Sequence, residues 1–250
     1  MIELKTKAEI ETMKDCGKRL MAAVDKLMPQ IKPGVTTEYI DLEAKRLIEA
    51  EGAESSFTKV PGYKWTTCLP VNDQVVHTPP SKKILKQGDI LTVDIGAYYK
   101  GFHTDYATTV AVGGTDDEKK LKFLAVGEDV LHAALKKARY NMFTGEISKV
   151  IQDGIYGNGY FILKDLTGHG VGRELHEDPL IPGFLDKPVE KTYRIPEGLV
   201  IAIEVIYSMG TEHIRYDTDD NWSIASRDGS LTACFEKSVA ITKENSFILT

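Results

Sequence analysis

The sequence predicts an α+β fold in which helices cover one face of a central, mostly antiparallel sheet, with the sheet built twice about a pseudo-twofold axis. Three observations carry this. Residues 88–109, GDILTVDIGAYYKGFHTDYATT, read as two strands joined by a tight turn. A helix–helix–strand order runs through the chain twice. Each predicted helix is apolar on one side only, which suits a helix lying on a sheet.

The first unit begins at Thr6-Lys7-Ala8-Glu9, which has the T-x-x-E pattern of a capping box. Ile10, Met13, Gly17, Leu20, Met21, Val24, Leu27, Met28 and Ile31 then recur at helical spacing until Pro33-Gly34 stops the run. Thr37 is placed to cap a second helix with Ile40, Ala44, Leu47 and Ile48 on one face, and Gly52 to end it. A segment rich in Pro, Gly and aromatics, residues 56–80, leads into the hairpin. Ile90, Leu91, Val93 and Ile95 make its first strand apolar, and Thr104, Tyr106, Thr108 and Thr109 give the second its β character. With a turn near Tyr99–Lys100–Gly101, an in-register hairpin sets Asp94 and Asp105 opposite each other, their midpoint being 99.5.

The second unit repeats the order. Thr115-Asp116-Asp117-Glu118 is again T-x-x-E, and Leu121, Leu124, Leu131, Leu135 and Ala138 form a helical stripe. Thr144 is placed to cap a further helix with Ile147, Val150, Ile151 and Ile155, ending near Gly157-Asn158-Gly159. The strand GLVIAIEV then starts at Gly198 and runs into an acid, as GDILTVD does. Six positions separate Gly88 from Asp94 and also Gly198 from Glu204; Thr6 to Gly88 spans 82 positions and Thr115 to Gly198 spans 83. The matched offsets point to a duplicated unit, residues 6–110 and 115–245, inside a single domain of 1–250, with Asp94 and Glu204 at equivalent places. No Ser/Gly-rich linker separates the halves.

Composition narrows the class. Hydrophobic residues are 42% and charged residues 27%, an ordinary globular balance, and a net charge of −6 argues against a nucleic-acid binder with a basic surface. Cys16, Cys68 and Cys234 are widely spaced without a CxxC, which suggests a reducing compartment and no zinc ribbon. MIELKTKAEIE has no apolar signal core, and no apolar run approaches the ~20 residues of a membrane span. A cytoplasmic protein without membrane or nucleic-acid partners is the expectation.

The chemistry gathers on the strands. Opposed β-carbons lie about 4.5–5.5 Å apart, where like charges repel, so two facing aspartates call for a cation between them or for solvent around them. His169 sits in Gly168-His169-Gly170-Val171-Gly172, where the glycines leave the imidazole accessible and let backbone approach a ligand closely. Glu204 lies mid-strand among Ile201, Ile203 and Val205, and Glu236 lies in LTACFEKSVAIT, again within a β-rich run. A charge so placed needs a partner or a metal. A core histidine and edge-strand acids facing water are the alternative. Taken together, two Asp, two Glu and one His suit two divalent ions bridged by carboxylates.

The stretches VNDQVVHTPP, GDILTVDIGAYYKGFHTD, GHGVGRELHEDP, GLVIAIEV and FEKSVAIT, in this order and over essentially the whole chain, resemble the type I methionine aminopeptidases of the pita-bread fold. The resemblance implies two divalent ions per subunit (Mn, Fe, Co or Zn), with Asp105 and Glu236 shared between them, Asp94 on the first, and His169 and Glu204 on the second. It also implies a bridging hydroxide that attacks the scissile carbonyl, Glu204 as the group that moves the proton, and His77 and His176 at the substrate. The methionine slot falls on Tyr63, Cys68, Leu175 and Trp222, an apolar lining that suits a thioether. The implied substrates are peptide and nascent-protein N-termini, met near the ribosome, whose second residue is Ala, Gly, Ser, Thr, Cys, Pro or Val. A monomer is expected.

The chain departs from the family pattern at four places. Phe57 and Val60 stand where many bacterial members have Cys and Tyr, Thr78 follows His77 where Gly is usual, and Lys237 follows Glu236 where His is usual. Only 35 positions separate His169 from Glu204, too few for the helical insertion of type II members. Two other readings compete. One is a proline-specific peptidase of the same fold, although those usually carry an extra N-terminal domain. The other is a metal-free binding protein, although such proteins lose ligands and here none is missing.

Overall fold

The structure is a computed structural model and describes residues 2–216 and 220–250. Two helices come first, α1 (Lys7–Leu27) and α2 (Thr37–Ala50), followed by β1 (Glu54–Ser55), β2 (Thr67–Cys68), β3 (Gln74–Val76) and the hairpin β4 (Ile90–Tyr99) and β5 (Phe102–Ala111). The second half opens with α3 (Glu118–Leu135) and α4 (Thr144–Gly157). It continues with β6 (Phe161–Ile162), β7 (Thr167–Gly170), β8 (Glu177–Pro182), β9 (Val200–Ser208), β10 (Ile214–Tyr216), β11 (Ile224–Ser226), β12 (Thr232–Ile241) and β13 (Ser246–Ile248).

The main sheet runs β1-β4-β5-β12-β9-β7-β8, antiparallel throughout, with β2 added on β4, β6 on β9 and β13 on β12. A small sheet, β10-β11-β3, leads into His77 at one end of β3 and lies just after Trp222 at the start of β11. The period of two along each strand decides the faces. Leu91, Val93, Ile95 and Ala97 of β4 pack with Leu20, Val24, Ile40 and Leu47 of α1 and α2. Ile201, Ile203, Val205 and Tyr207 of β9 and Phe235 of β12 pack with Phe123, Leu131, Ile147 and Ile151 of α3 and α4. Helices therefore cover one face, and the alternate positions, Asp94, Glu204 and Glu236 among them, point to the other.

Several local expectations shift. Thr6 does close a capping box: Thr6 Oγ1 accepts from Glu9 N at 3.3 Å and Glu9 Oε2 accepts from Thr6 N at 2.8 Å. In the second unit Asp117, not Thr115, is the cap, its Oδ1 accepting from Lys119 N at 2.9 Å, so Glu118 is the first helical residue and the T-x-x-E there is no capping box. The carboxylate nearer the apolar run takes the free amides. Measured from Asp117, the offset to Gly198 is 81, still beside the 82 of the first unit. Thr36 caps α2, accepting from Tyr39 N at 3.2 Å, which frees Thr37 to bond Ser81. Thr144 is the first residue of α4 rather than its cap; Phe143 stands at the cap without a side-chain bond, and Thr192 Oγ1 accepts from Gly145 N instead.

The hairpin register also differs. The turn is Lys100–Gly101 alone, with φ of 48° and 90°, the left-handed pair of a type I′ turn. Tyr99 then pairs with Phe102, Asp94 opposes Ala107, and Asp105 opposes Gly96. Asp94 and Asp105 share a face but stand diagonally. The directly opposed acids are Glu204 and Glu236, on β9 and β12.

Candidate active site

One cavity of about 130 Å³ on the sheet's helix-free face brings Asp94, Asp105, His169, Glu204 and Glu236 together with His77, His176, Tyr63, Cys68, Leu175 and Trp222. Each strand contributes one acid at the same level. Asp94 comes from β4, Asp105 from β5, Glu236 from β12 and Glu204 from β9, and β7 adds His169, which pairs with Ala202. Asp105, His169 and Glu236 present ligand atoms all within 4.8 Å of one another. His169 Nε2 lies 3.4 Å from Glu204 and 4.0 Å from Asp105.

The histidine's tautomer follows from its neighbour. His169 Nδ1 is 2.8 Å from Gly170 O, and a carbonyl only accepts, so Nδ1 carries the proton. Burial, and then the nearby His176, lower the His169 pKa to about 3, so the ring is neutral and Nε2 offers a lone pair. A lone pair aimed at two carboxylates needs a cation or a proton between them. The carboxylates repeat the demand. Burial raises Asp94, Glu204 and Glu236 well above the usual carboxylate range, with Asp105 the next cause for each. Burial likewise raises Asp105 to about 7. Glu236 Oε1 is buried without any hydrogen-bond partner. Four carboxylates, one imidazole nitrogen and an orphaned oxygen fit divalent cations of the hard or borderline kind.

The flanking glycines serve a different purpose from the one expected. A Cβ at Gly168 would overlap Ala202 O, and one at Gly170 would overlap Asp178 O. They let β7 pass between β8 and β9, and His169 itself is buried. Hydroxyls hold the seam between β5 and β12, where only two residue pairs are in register. Thr109 Oγ1 donates to Cys234 O (2.8 Å) and accepts from Cys234 N (3.0 Å), and Ser238 Oγ accepts from Asp105 N (2.9 Å). Thr250 Oγ1 donates to Asp105 O at 3.0 Å. The strand pattern gave no warning of these supports.

Beside the acids lies an apolar slot. Phe57, Tyr63, Cys68 and Leu175 form one buried cluster, with Val60, Trp65 and Trp222 against it. Tyr63 meets Trp222 edge-on at 5.1 Å and Phe57 at 6.3 Å, and its hydroxyl donates to Thr67 O at 2.8 Å. Asp41 Oδ1 fixes the strand behind, accepting from Thr66 N (2.9 Å), Thr67 N (2.8 Å) and Thr67 Oγ1 (2.8 Å). Val76, which the sequence reading passed over, also lines the cavity; only its place next to His77 marked it. His77 has φ of 58°, unusual for a side chain this large, so its direction is set by the backbone. The His176 ring lies 4.5 Å from that of His169. Desolvation lowers the pKa of both His77 and His176, and His176 lowers His77 further. Of the four departures, Phe57 and Val60 line the slot, whereas Lys237 donates to Thr250 O at 2.8 Å and lies 4.9 Å from the Tyr106 ring. Thr78 is buried, its hydroxyl without a partner.

Residues 11–243 match metallopeptidase family M24, and the chain belongs to that family. It is a metal-using peptidase of the pita-bread fold. Within the family it groups with the type I methionine aminopeptidases. It is 38% identical over 251 residues to methionine aminopeptidase 1 of Bacillus subtilis, covering 100% of this chain and 99% of that one. The methionine aminopeptidase structure from Thermotoga maritima superposes with a TM-score of 0.95 at 36% identity, covering 100% and 99% of the two chains. A prolidase from Pyrococcus furiosus shares the fold at a TM-score of 0.79 and 24% identity, with 65% of its length covered. Among the described residues no helix is long and apolar enough to cross a membrane.

Proposed function

We propose that this chain removes the N-terminal methionine from peptides and nascent proteins whose second residue is small: Ala, Gly, Ser, Thr, Cys, Pro or Val. The observation that carries this is the closed apolar slot opening directly onto five convergent metal-type ligands, one of them with an orphaned buried oxygen. Asp94, Asp105, His169, Glu204 and Glu236 would hold two divalent ions, of Mn, Fe, Co or Zn, with Asp105 and Glu236 placed to serve both. When bound they supply Lewis acidity at the carbonyl and water of lowered pKa, near 7.

The chain's own groups do the rest. Phe57, Val60, Tyr63, Cys68, Leu175 and Trp222 enclose the methionine side chain, through dispersion and sulfur–aromatic contact. Glu204 Oε accepts the water's proton and delivers it to the leaving amine. His77 and His176, neutral at pH 7, each offer one N–H to the developing oxyanion or the departing nitrogen. A bulky second residue would push the scissile carbonyl out of place, and a shift near 1 Å costs on the order of 10²-fold. The domain is read as single, with its duplicated units at 6–110 and 115–245, monomeric, cytoplasmic and working near the ribosome.

Mass spectrometry of Met-Ala-Ser, Met-Leu-Ser, Met-Lys-Ser and Ala-Pro after incubation with metal-loaded protein tests the reading. Methionine release from the first alone is expected, and it should stop on chelation. Equal release from the first three would refute sorting by the second residue, and cleavage of Ala-Pro alone would make the chain a proline peptidase.

A further inference from the structure

The loop that carries His176 is held from outside the cavity. Residues 172–177 fold back on the carboxylate of Glu177. Its Oε1 accepts from the backbone N–H of Arg173 at 2.7 Å and of Glu174 at 3.2 Å. Its Oε2 accepts from the Lys5 ammonium, and the two side chains are only 3% and 7% exposed. Lys5 Nζ also donates to Glu3 O at 2.8 Å, and Lys5 N donates to Gly198 O at 2.7 Å, just ahead of the strand that bears Glu204. A Cβ at Gly172 would overlap Lys5 Cε, so the loop closes tightly over this lysine. A second tie lies beside it: the Arg173 guanidinium bonds Glu9, the glutamate of the α1 capping box, and stands 4.9 Å from the Phe102 ring. Lys5 itself does not line the substrate cavity.

We propose that Lys5 is a positioning residue: through its buried ion pair with Glu177 it fixes the imidazole of His176 at the scissile bond. This rests on the role of His176 proposed above. Glu177 follows His176 directly, so consecutive Cα atoms about 3.8 Å apart transmit a shift of one to the other. Without its ammonium the Glu177 side chain loses the tie that anchors the loop through Lys5 to the backbone at Gly198, so the loop and its imidazole shift, and the carboxylate left buried without its partner adds a cost in stability. A displacement near 1 Å at a reacting group costs on the order of 10²-fold.

The test compares wild type, Lys5→Met and the double variant Lys5→Met/Glu177→Gln, each loaded with Mn²⁺ and assayed on Met-Ala-Ser well below its melting point. In Lys5→Met, kcat should fall by roughly 10- to 100-fold, with KM within about threefold and Mn²⁺ titration unchanged. The double variant buries no charge, and the introduced side-chain amide oxygen still accepts from the loop amides, so its melting temperature should return toward wild type while kcat stays low. A kcat that recovers in step with stability, or that never fell, would overturn the proposal and leave a purely structural pair. Histidine ¹H–¹³C spectra give a readout free of catalysis. The His176 ring signal, held against His169, should shift or broaden in both variants, and an unchanged signal would also overturn the proposal. If wild type releases no methionine, the reaction assignment fails, and the spectra still judge the positioning role.

Discussion

Removing the metal should make the stability of this protein fall with pH, in a window the site itself defines. Asp94, Asp105, Glu204 and Glu236 titrate near 4 in an unfolded chain. Burial raises all four in the fold, Asp105 to about 7 and the others well above their usual range. A carboxylate with a raised folded value contributes stability that is complete below its unfolded pKa and is lost as pH rises through the folded one. The buried histidines act in the opposite sense. His169 is lowered to about 3 and His103 to about 4, so each costs stability as pH falls below about 6.5, where the unfolded chain binds protons. Between about pH 4 and 6.5 the two sets oppose one another. Between about pH 6.5 and 8 the carboxylates dominate the difference between the two states, and the buried thiols of Cys16, Cys68 and Cys234, also raised by burial, add to it with the same sign as pH nears about 8.5. Each proton the folded, metal-free protein keeps there gives a slope of about 1.4 kcal/mol per pH unit. Two retained protons amount to about 3 kcal/mol between pH 7 and 8, or on the order of 5–10 °C in Tm for a chain of this size. Bound cations replace those protons, so the Tm increment from Mn²⁺ should grow with pH across the same window. Calorimetry of chelator-treated and Mn²⁺-loaded protein from about pH 6.5 to 8.5 measures both. A metal-free Tm that is flat or rises over this range would refute the protonated-cluster reasoning.

Three further outcomes are expected. Asp105→Ala or Glu236→Ala should abolish activity and weaken both ions at once, because each carboxylate is read as shared; isothermal titration with Mn²⁺ showing two intact sites would sink that assignment. His77→Ala should keep the metals and lower kcat by roughly 10²–10⁴-fold, the range for an acid–base group, whereas a rise in KM alone would reduce His77 to a binding contact. Asp41→Ala leaves Thr66 N and Thr67 N buried without an acceptor, at a cost of about 1–3 kcal/mol, and loosens the strand carrying Cys68. Urea midpoints and KM should both worsen, and an unchanged KM would show that the slot does not depend on this anchor.

What could be read from the chain was whatever repeats with a short period. An acid at the same place in two apolar strands, Asp94 in ILTVD and Glu204 in VIAIE, stands out because alternation leaves no solvent to explain it. The helical stripes were legible for the same reason. The hairpin register was not, because it turns on whether Lys100 accepts a left-handed φ of 48°, a choice of one residue that displaces the partner of Asp94 from Asp105 to Ala107. Caps at Thr36 and Asp117 slipped by one or two positions, since neighbouring Thr and Asp side chains compete for the same free amides. The Lys5–Glu177 pair joins residues 172 apart and has no period at all.

The seam between β5 and β12 bears on how the acids are presented. The β5 and β12 strands are in register at only two pairs, so much of the hydrogen bonding there passes to Thr109, Ser238 and Thr250. A seam held by hydroxyls fixes Asp105 from behind, through its own N–H and C=O, while its carboxylate, whose Oδ1 accepts from Tyr106 N at 3.0 Å, faces Glu236. Acids carried by β4, β5, β9 and β12 thus meet in one cavity above that seam. Their mutual repulsion is the feature that makes a bound cation, rather than another side chain, the partner that the fold requires.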